Sequence, residues 1–293
     1  MAKYILYTYQ FAPLSSKAED YLVLFAGPEE DLAGSIMKTK QNVFSRLLQK
    51  DSELVFAKSD QTYSHKILMS FNGIIILRIA NNRKFIQEQD FQLKEIPNHP
   101  SCLVIIDNRD GFQTIAIEKN SAFGSTETVA GIMKTSFNAY LKPFRLHVDI
   151  RHKIEEKSFW QLINKYSEGI KKIRFSFAYP NLPRVSDNVG EVFSELARQF
   201  NANSQFELSA IDGQILSLDK ENPQLQSLVK ASSESGLPIK VQPAGTKSGW
   251  VSSGAGSLVS ATLSDSLGTA SEDELFNSKY EYLAEEMKKL IGM

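Results

Sequence analysis

The sequence predicts an α+β protein: mainly antiparallel sheets built from hairpins, with helices between the hairpin groups. Three observations carry this. Short runs rich in Ile, Val, Tyr and Phe recur in pairs. Several pairs are joined by turn residues, such as Asn72-Gly73 and Asn108-Arg109-Asp110-Gly111. Between the groups lie segments whose apolar residues repeat at helical spacing.

Residues 4–11 are aromatic and β-branched, the mark of a first strand, and residues 21–25 read as a second. Residues 29–50 read as a helix, with Leu32, Ile36, Val43, Leu47 and Leu48 toward one face. Strands follow at 54–57, 66–71 and 73–79, the last two joined by Asn72-Gly73, where both residues tolerate a left-handed backbone. Residues 93–100 hold two prolines and read as a loop. A second hairpin spans 102–118, and the next helix starts at a capping position (Ser125, Thr126 or Thr128), then carries Val129, Ile132, Met133, Phe137 and Leu141.

The strand at 144–150 alternates, with Phe144, Leu146, Val148 and Ile150 on one face. A short helix at 158–166, a strand at 172–179, a stiff turn at 179–184 and a helix from Ser186 to about Phe200 come next. Residues 206–210 and 214–218 read as a third hairpin around Asp212-Gly213. Pro223 suits a first helical turn, and 239–242 reads as a strand. Residues 243–257, rich in Gly, Ser and Ala, read as a flexible loop or linker. The last element, 272–291, is an amphipathic helix on which Phe276, Tyr280, Leu283 and Met287 form a stripe for docking or for pairing with a partner. Two units are expected, 1–141 and 142–293.

Charge is sorted along the chain. The net charge is −1, yet residues 142–184 carry ten Lys/Arg against four acids, while 185–293 carry fifteen acids and eight bases. A basic zone draws polyanions, and Lys and Arg grip phosphate without reading bases. The expected contact residues are Lys142, Arg145, Arg151, Lys153, Lys171, Lys172, Arg174 and Arg184. If the strands at 144–150 and 172–179 are neighbours, Arg145, Lys172 and Arg174 share one surface. A duplex backbone fits better than single strands, because no exposed aromatic is identifiable for base stacking. The competing reading is that this segment is a solvated face, or is neutralised by the acidic last third.

Catalytic patterns are weak. His65, His99, His147 and His152 lack metal-ligand spacing. Asp107, Asp110 and Glu118 with Lys119 suggest a metal-dependent nuclease hairpin, but Glu118 and Lys119 are adjacent and face opposite ways. Gly245-Thr246-Lys247-Ser248-Gly249 lacks the glycine directly before lysine that a phosphate loop needs. Cys102, the single cysteine, sits in an apolar run and excludes an internal disulfide, which suits a reducing cytoplasm. No apolar run is long enough to span a bilayer, so no membrane insertion is expected. No cofactor and no metal are implied, and the sequence points away from an enzyme.

The first strand (4–11), the hairpin at 102–118, Gly124-Ser125-Thr126-Glu127-Thr128, the run from Glu207 to Leu216 and Ala284-Glu285-Glu286-Met287 resemble, in order, the layout of the RexA-type phage-exclusion family. The chain is also similar to bacterial proteins encoded in defence islands. The resemblance implies a cytoplasmic, dimeric DNA-binding protein that senses phage material and triggers a partner. The near-neutral charge departs from that family's basic character. The expectation is therefore a non-enzymatic antiphage protein that binds nucleic acid and acts with an effector. The alternatives are an interaction subunit that senses a phage protein or regulates an effector, and a metal-dependent nuclease.

Overall fold

Strand β1 (Ala2–Pro13) is buried along most of its length, which fits its run of aromatic and aliphatic residues. The structure, a computed structural model, describes residues 2–14, 32–49, 52–109, 112–166, 168–177, 204–245, 249–254, 258–263, 281–282 and 284–288. The fold is α+β with mainly antiparallel sheets. The expected strand at 21–25, the turn at 179–184 and the helix from Ser186 to Phe200 lie outside the described residues.

The chain forms two compact units. The first comprises Met1–Tyr9, Lys38–Ile150 and Ser260–Met293, and the second Gln10–Met37 and Arg151–Val259. The break near 150 differs from the one placed at 141, because β10 (Leu146–His152) adds to the sheet of β1. The C-terminal segment groups with the first unit, because β15 (Ser260–Leu263) pairs antiparallel with β1, Ala2 facing Leu263.

In the first unit β4 (His65–Phe71), β5 (Ile74–Ala80), β8 (Ser101–Asp107) and β9 (Thr114–Glu118) complete a sheet ordered β10-β1-β9-β8-β5-β4, with β15 also on β1. The β4–β5 turn uses Asn72 and Gly73 at φ 49° and 77°, the left-handed pair their residue types predict. Helices α1 (Leu32–Leu47) and α2 (Thr126–Leu141) supply aromatic packing: Phe44 meets Phe137 edge-on at 4.9 Å, and Tyr9 lies 5.3 Å from Phe44. Among the three candidate caps of α2, Ser125 is the one used, its Oγ accepting from the Thr128 N–H. Asn138 ties α2 to β10, donating to the Val148 carbonyl and accepting from the Val148 N–H. Short strands β2 (Phe56–Lys58) and β3 (Gln61–Tyr63) pair beside them.

A further hairpin, β6 (Arg83–Gln89) and β7 (Gln92–Asn98), replaces the loop expected over 93–100. Asp90 and Phe91 form its two-residue turn at φ 52° and 61°. Pro97 is accommodated opposite Lys84, at a position where its nitrogen faces away from β6.

The second unit holds a four-stranded sheet ordered β12-β11-β13-β14: β11 (Ile170–Phe177), β12 (Ser204–Ser209), β13 (Lys240–Pro243) and β14 (Val251–Ser252). Helices α3 (Glu156–Lys165) and α4 (Pro223–Glu234) supply Phe159, Leu225 and Val229 to a core with Ile173, Phe175 and Val241. Asn222 caps α4 ahead of Pro223, its Oδ1 accepting from the Leu225 N–H at 3.0 Å. Two expectations are corrected here. Strand β12 pairs with β11 rather than with 214–218, and part of the Gly/Ser stretch is the edge strand β14, not linker.

Candidate nucleic-acid interface

Alternation along β11 separates two faces. Ile173, Phe175 and Phe177 are buried in the core, while Lys172, Arg174 and Ser176 point the other way. Residues directly opposite on neighbouring strands share a face. Glu207 on β12 stands opposite Arg174, and so does Lys240 on β13. Ser209 and Gln242 flank Lys172, and Ser252 on β14 faces Lys240. The result is a polar sheet face carrying Lys172, Arg174 and Lys240 against one carboxylate, Glu207.

Arg174 is held in place. Its Nη2 and Nε donate to Glu207 Oε2 at 2.7 and 2.9 Å. Its guanidinium also lies 4.3 Å from the centroid of the Trp250 ring, a cation–π stack. Lys172 reaches Glu207 Oε1 at 3.9 Å and stays 44% exposed, and Lys240 is exposed. Two residues apart along a strand is about 7 Å and one strand across is about 5 Å, so the three cations form a small triangle. Such a cluster suits one or two phosphate oxygens, with the Trp250 ring stacked on Arg174.

The strand pairing that would set Arg145 beside Lys172 and Arg174 is not formed. Strands β10 and β11 are not neighbours: they belong to different sheets. Lys142 and Arg145 lie in the first unit, whereas Arg151, Lys153, Lys171, Lys172 and Arg174 lie in the second. Lys142 is exposed in a 3₁₀ turn, and Arg145 ends that turn in a left-handed conformation at φ 49°. Arg145, Arg151 and Lys153 are half-buried and already interact with other groups of the chain. Lys171 is exposed at the start of β11, and Arg184 lies outside the described residues. Nor is the cluster uncapped, since Glu207 comes from the acidic last third. Lys240 and Trp250, which complete the face, sit 66 and 76 residues beyond Arg174 in sequence and were missed. The alternation at 239–242 was the one signal that pointed to Lys240.

The nuclease constellation comes apart. Asp107 is fully buried and bound by Arg109, with Nη2 to Oδ2 at 2.7 Å and Nε to Oδ1 at 3.0 Å. It also accepts from the Arg109 backbone N–H. Glu118 accepts from the Leu103 N–H and from Asn120 Nδ2. Asp107 pairs with Thr114 at one end of the β8–β9 ladder and Glu118 lies at the other. Four residues of strand separate them, about 13 Å, too far for one metal ion. Asp110 lies outside the described residues, and no cluster of metal-ligating side chains occurs among those described. Cys102 is buried, and burial pushes its thiol up to about 12.

Of the stripe expected at 272–291, residues 281–282 and 284–288 are helical, while Phe276, Tyr280 and Leu283 lie outside the described residues. Met287 is fully buried, so it packs within the protein rather than on an open docking face. No helix among the described residues is long and apolar enough to cross a membrane.

No protein-family model matches the chain, and no curated protein matches it.

Proposed function

We propose that this protein is a non-enzymatic nucleic-acid-binding protein that grips a duplex DNA backbone through the polar sheet face of its second unit. The observation that carries the reading is the arrival of Lys240 opposite Arg174 beside Trp250. It turns two cations of one strand into a three-cation cluster with one arginine held rigid by Glu207. Phosphate recognition rewards such preorganisation, because less side-chain freedom is lost on binding. Binding of this kind is tolerant of sequence and sensitive to salt. The antiphage role, cytoplasmic location and action through a partner effector rest on the sequence resemblance to the RexA-type family and belong to the proposal.

The test is fluorescence anisotropy with unrelated duplexes across a salt series. Lys172→Glu with Lys240→Glu lowers affinity for every duplex and reduces the slope of log K against log salt by about 2, one unit per lost phosphate contact. Wild-type affinity and slope in that variant, with its fold intact by circular dichroism, sink the reading.

A further inference from the structure

The β6–β7 hairpin is an isolated two-stranded sheet in which Ile86 is 66% exposed, Leu93 72% and Phe91 98%. A bare two-stranded ribbon is marginal in water and gains from being covered. Its root is fixed: Asn81 Nδ2 donates to the Ala122 carbonyl and Asn82 Nδ2 to the Thr62 carbonyl, both at 2.8 Å.

The two edges of the ribbon are not equivalent. The Asn81 N–H donates to the Pro100 carbonyl directly across, so 81/100 is a hydrogen-bonded pair. Alternation along an antiparallel ladder then makes 83/98, 85/96, 87/94 and 89/92 the bonded pairs. Lys84, Ile86 and Glu88 therefore turn their N–H and C=O groups outward from β6. On β7 the outward positions are Leu93, Glu95 and Pro97, and Pro97 has no N–H to offer. The β7 edge is blunted, while the β6 edge keeps its donors and acceptors.

We infer that β6 pairs antiparallel with β6 of a second copy of this chain, about a two-fold axis through Ile86. Charge complementarity identifies the occupant. With Ile86 facing its own counterpart, Lys84 stands opposite the second copy's Glu88, and Glu88 opposite the second copy's Lys84. All three pairs use the outward backbone groups, giving six hydrogen bonds between copies. Other registers that align the outward groups place Lys84 or Glu88 opposite isoleucine or opposite its own kind, which costs energy. The Lys84–Glu95 ion pair at 2.7 Å lies on the same face and orients Lys84 within the sheet. The product is an isologous four-stranded sheet, β7-β6-β6-β7, on which the two Ile86 side chains meet at the axis, flanked by the Lys84–Glu88 pairs.

The experiment is sedimentation velocity on the full chain over a protein concentration series, with thermal melts to check folding. Wild type forms a dimer as concentration rises. Lys84→Glu alone and Glu88→Lys alone each weaken dimerisation at least about tenfold, since both symmetric ion pairs become repulsive. An equal mixture of the two variants regains wild-type association, because every mixed pair then joins opposite charges. Ile86→Pro removes the outward donors at the axis, spares the β6–β7 ladder and leaves a monomer. A wild type that stays monomeric into the high micromolar range overturns the inference. So do single variants that dimerise like wild type, or a mixture that stays as weak as its components.

Discussion

Replacing Asp107 decides whether that carboxylate is architecture or chemistry. Asp107→Ala removes the acceptor of the Arg109 Nη2, Nε and backbone N–H donors at the end of β8. The carboxylate is fully buried and Arg109 is 29% exposed. Breaking a buried pair by deleting one partner costs about 3–5 kcal/mol. Arg109 keeps a face to water and recovers part of its hydration, so the loss here is about 2–3 kcal/mol. For a unit of this size each kcal/mol lowers the melting temperature by about 2–4 °C, so the expected shift is about 4–12 °C. Asp107→Asn keeps an oxygen for part of the fork but turns an amide N–H toward Nη2, and costs less. Thermal melts followed by circular dichroism measure both. A melting temperature for Asp107→Ala within about 1 °C of wild type refutes the structural role.

Gly73→Ala puts a Cβ 2.7 Å from Arg109 Cγ at a backbone φ of 77°, and lowers stability by about 1–2 kcal/mol in the same assay. Cys102 in the native protein resists iodoacetamide at pH 8, because burial holds its pKa at about 12, and reacts after denaturation. Burial lowers the pKa of His65 and of His147 below 6.5, so the unfolded chain binds protons that the folded one refuses. The stability these imidazoles contribute is complete above pH 6.5 and is lost as pH falls through their folded pKa values. His65→Gln with His147→Gln flattens that part of the pH–stability curve, read as urea midpoints between pH 7.5 and about 5.

The α+β class was legible because β1, β5, β8 and β9 are short, nearly continuous apolar runs buried on both faces, bounded by turn residues, while α2 buries one side of a helical pattern. The β6–β7 hairpin was not: its side chains are mostly exposed on both faces, so no alternation marks it, and Pro97 argued against a strand until the direction of its nitrogen was known. The pairing of β11 was hidden for another reason. Linear proximity from 142 to 184 crosses the break at 150, so cations close in sequence divide between the two units. Lys240 and Trp250 come to Arg174 through pairing of distant strands, which no local window reveals.

Strand β1 takes its partners from far downstream: Ile117 faces Ile5 on one side, and Ser260 faces it on the other. A ribosome must therefore deliver more than 250 residues beyond Ile5 before both of these neighbours exist. Until then, an apolar ribbon waits with a raw edge, the state that invites chaperones in the cell and clumping in the test tube. Expression at reduced temperature weakens the apolar association of waiting chains and so favours closure over clumping.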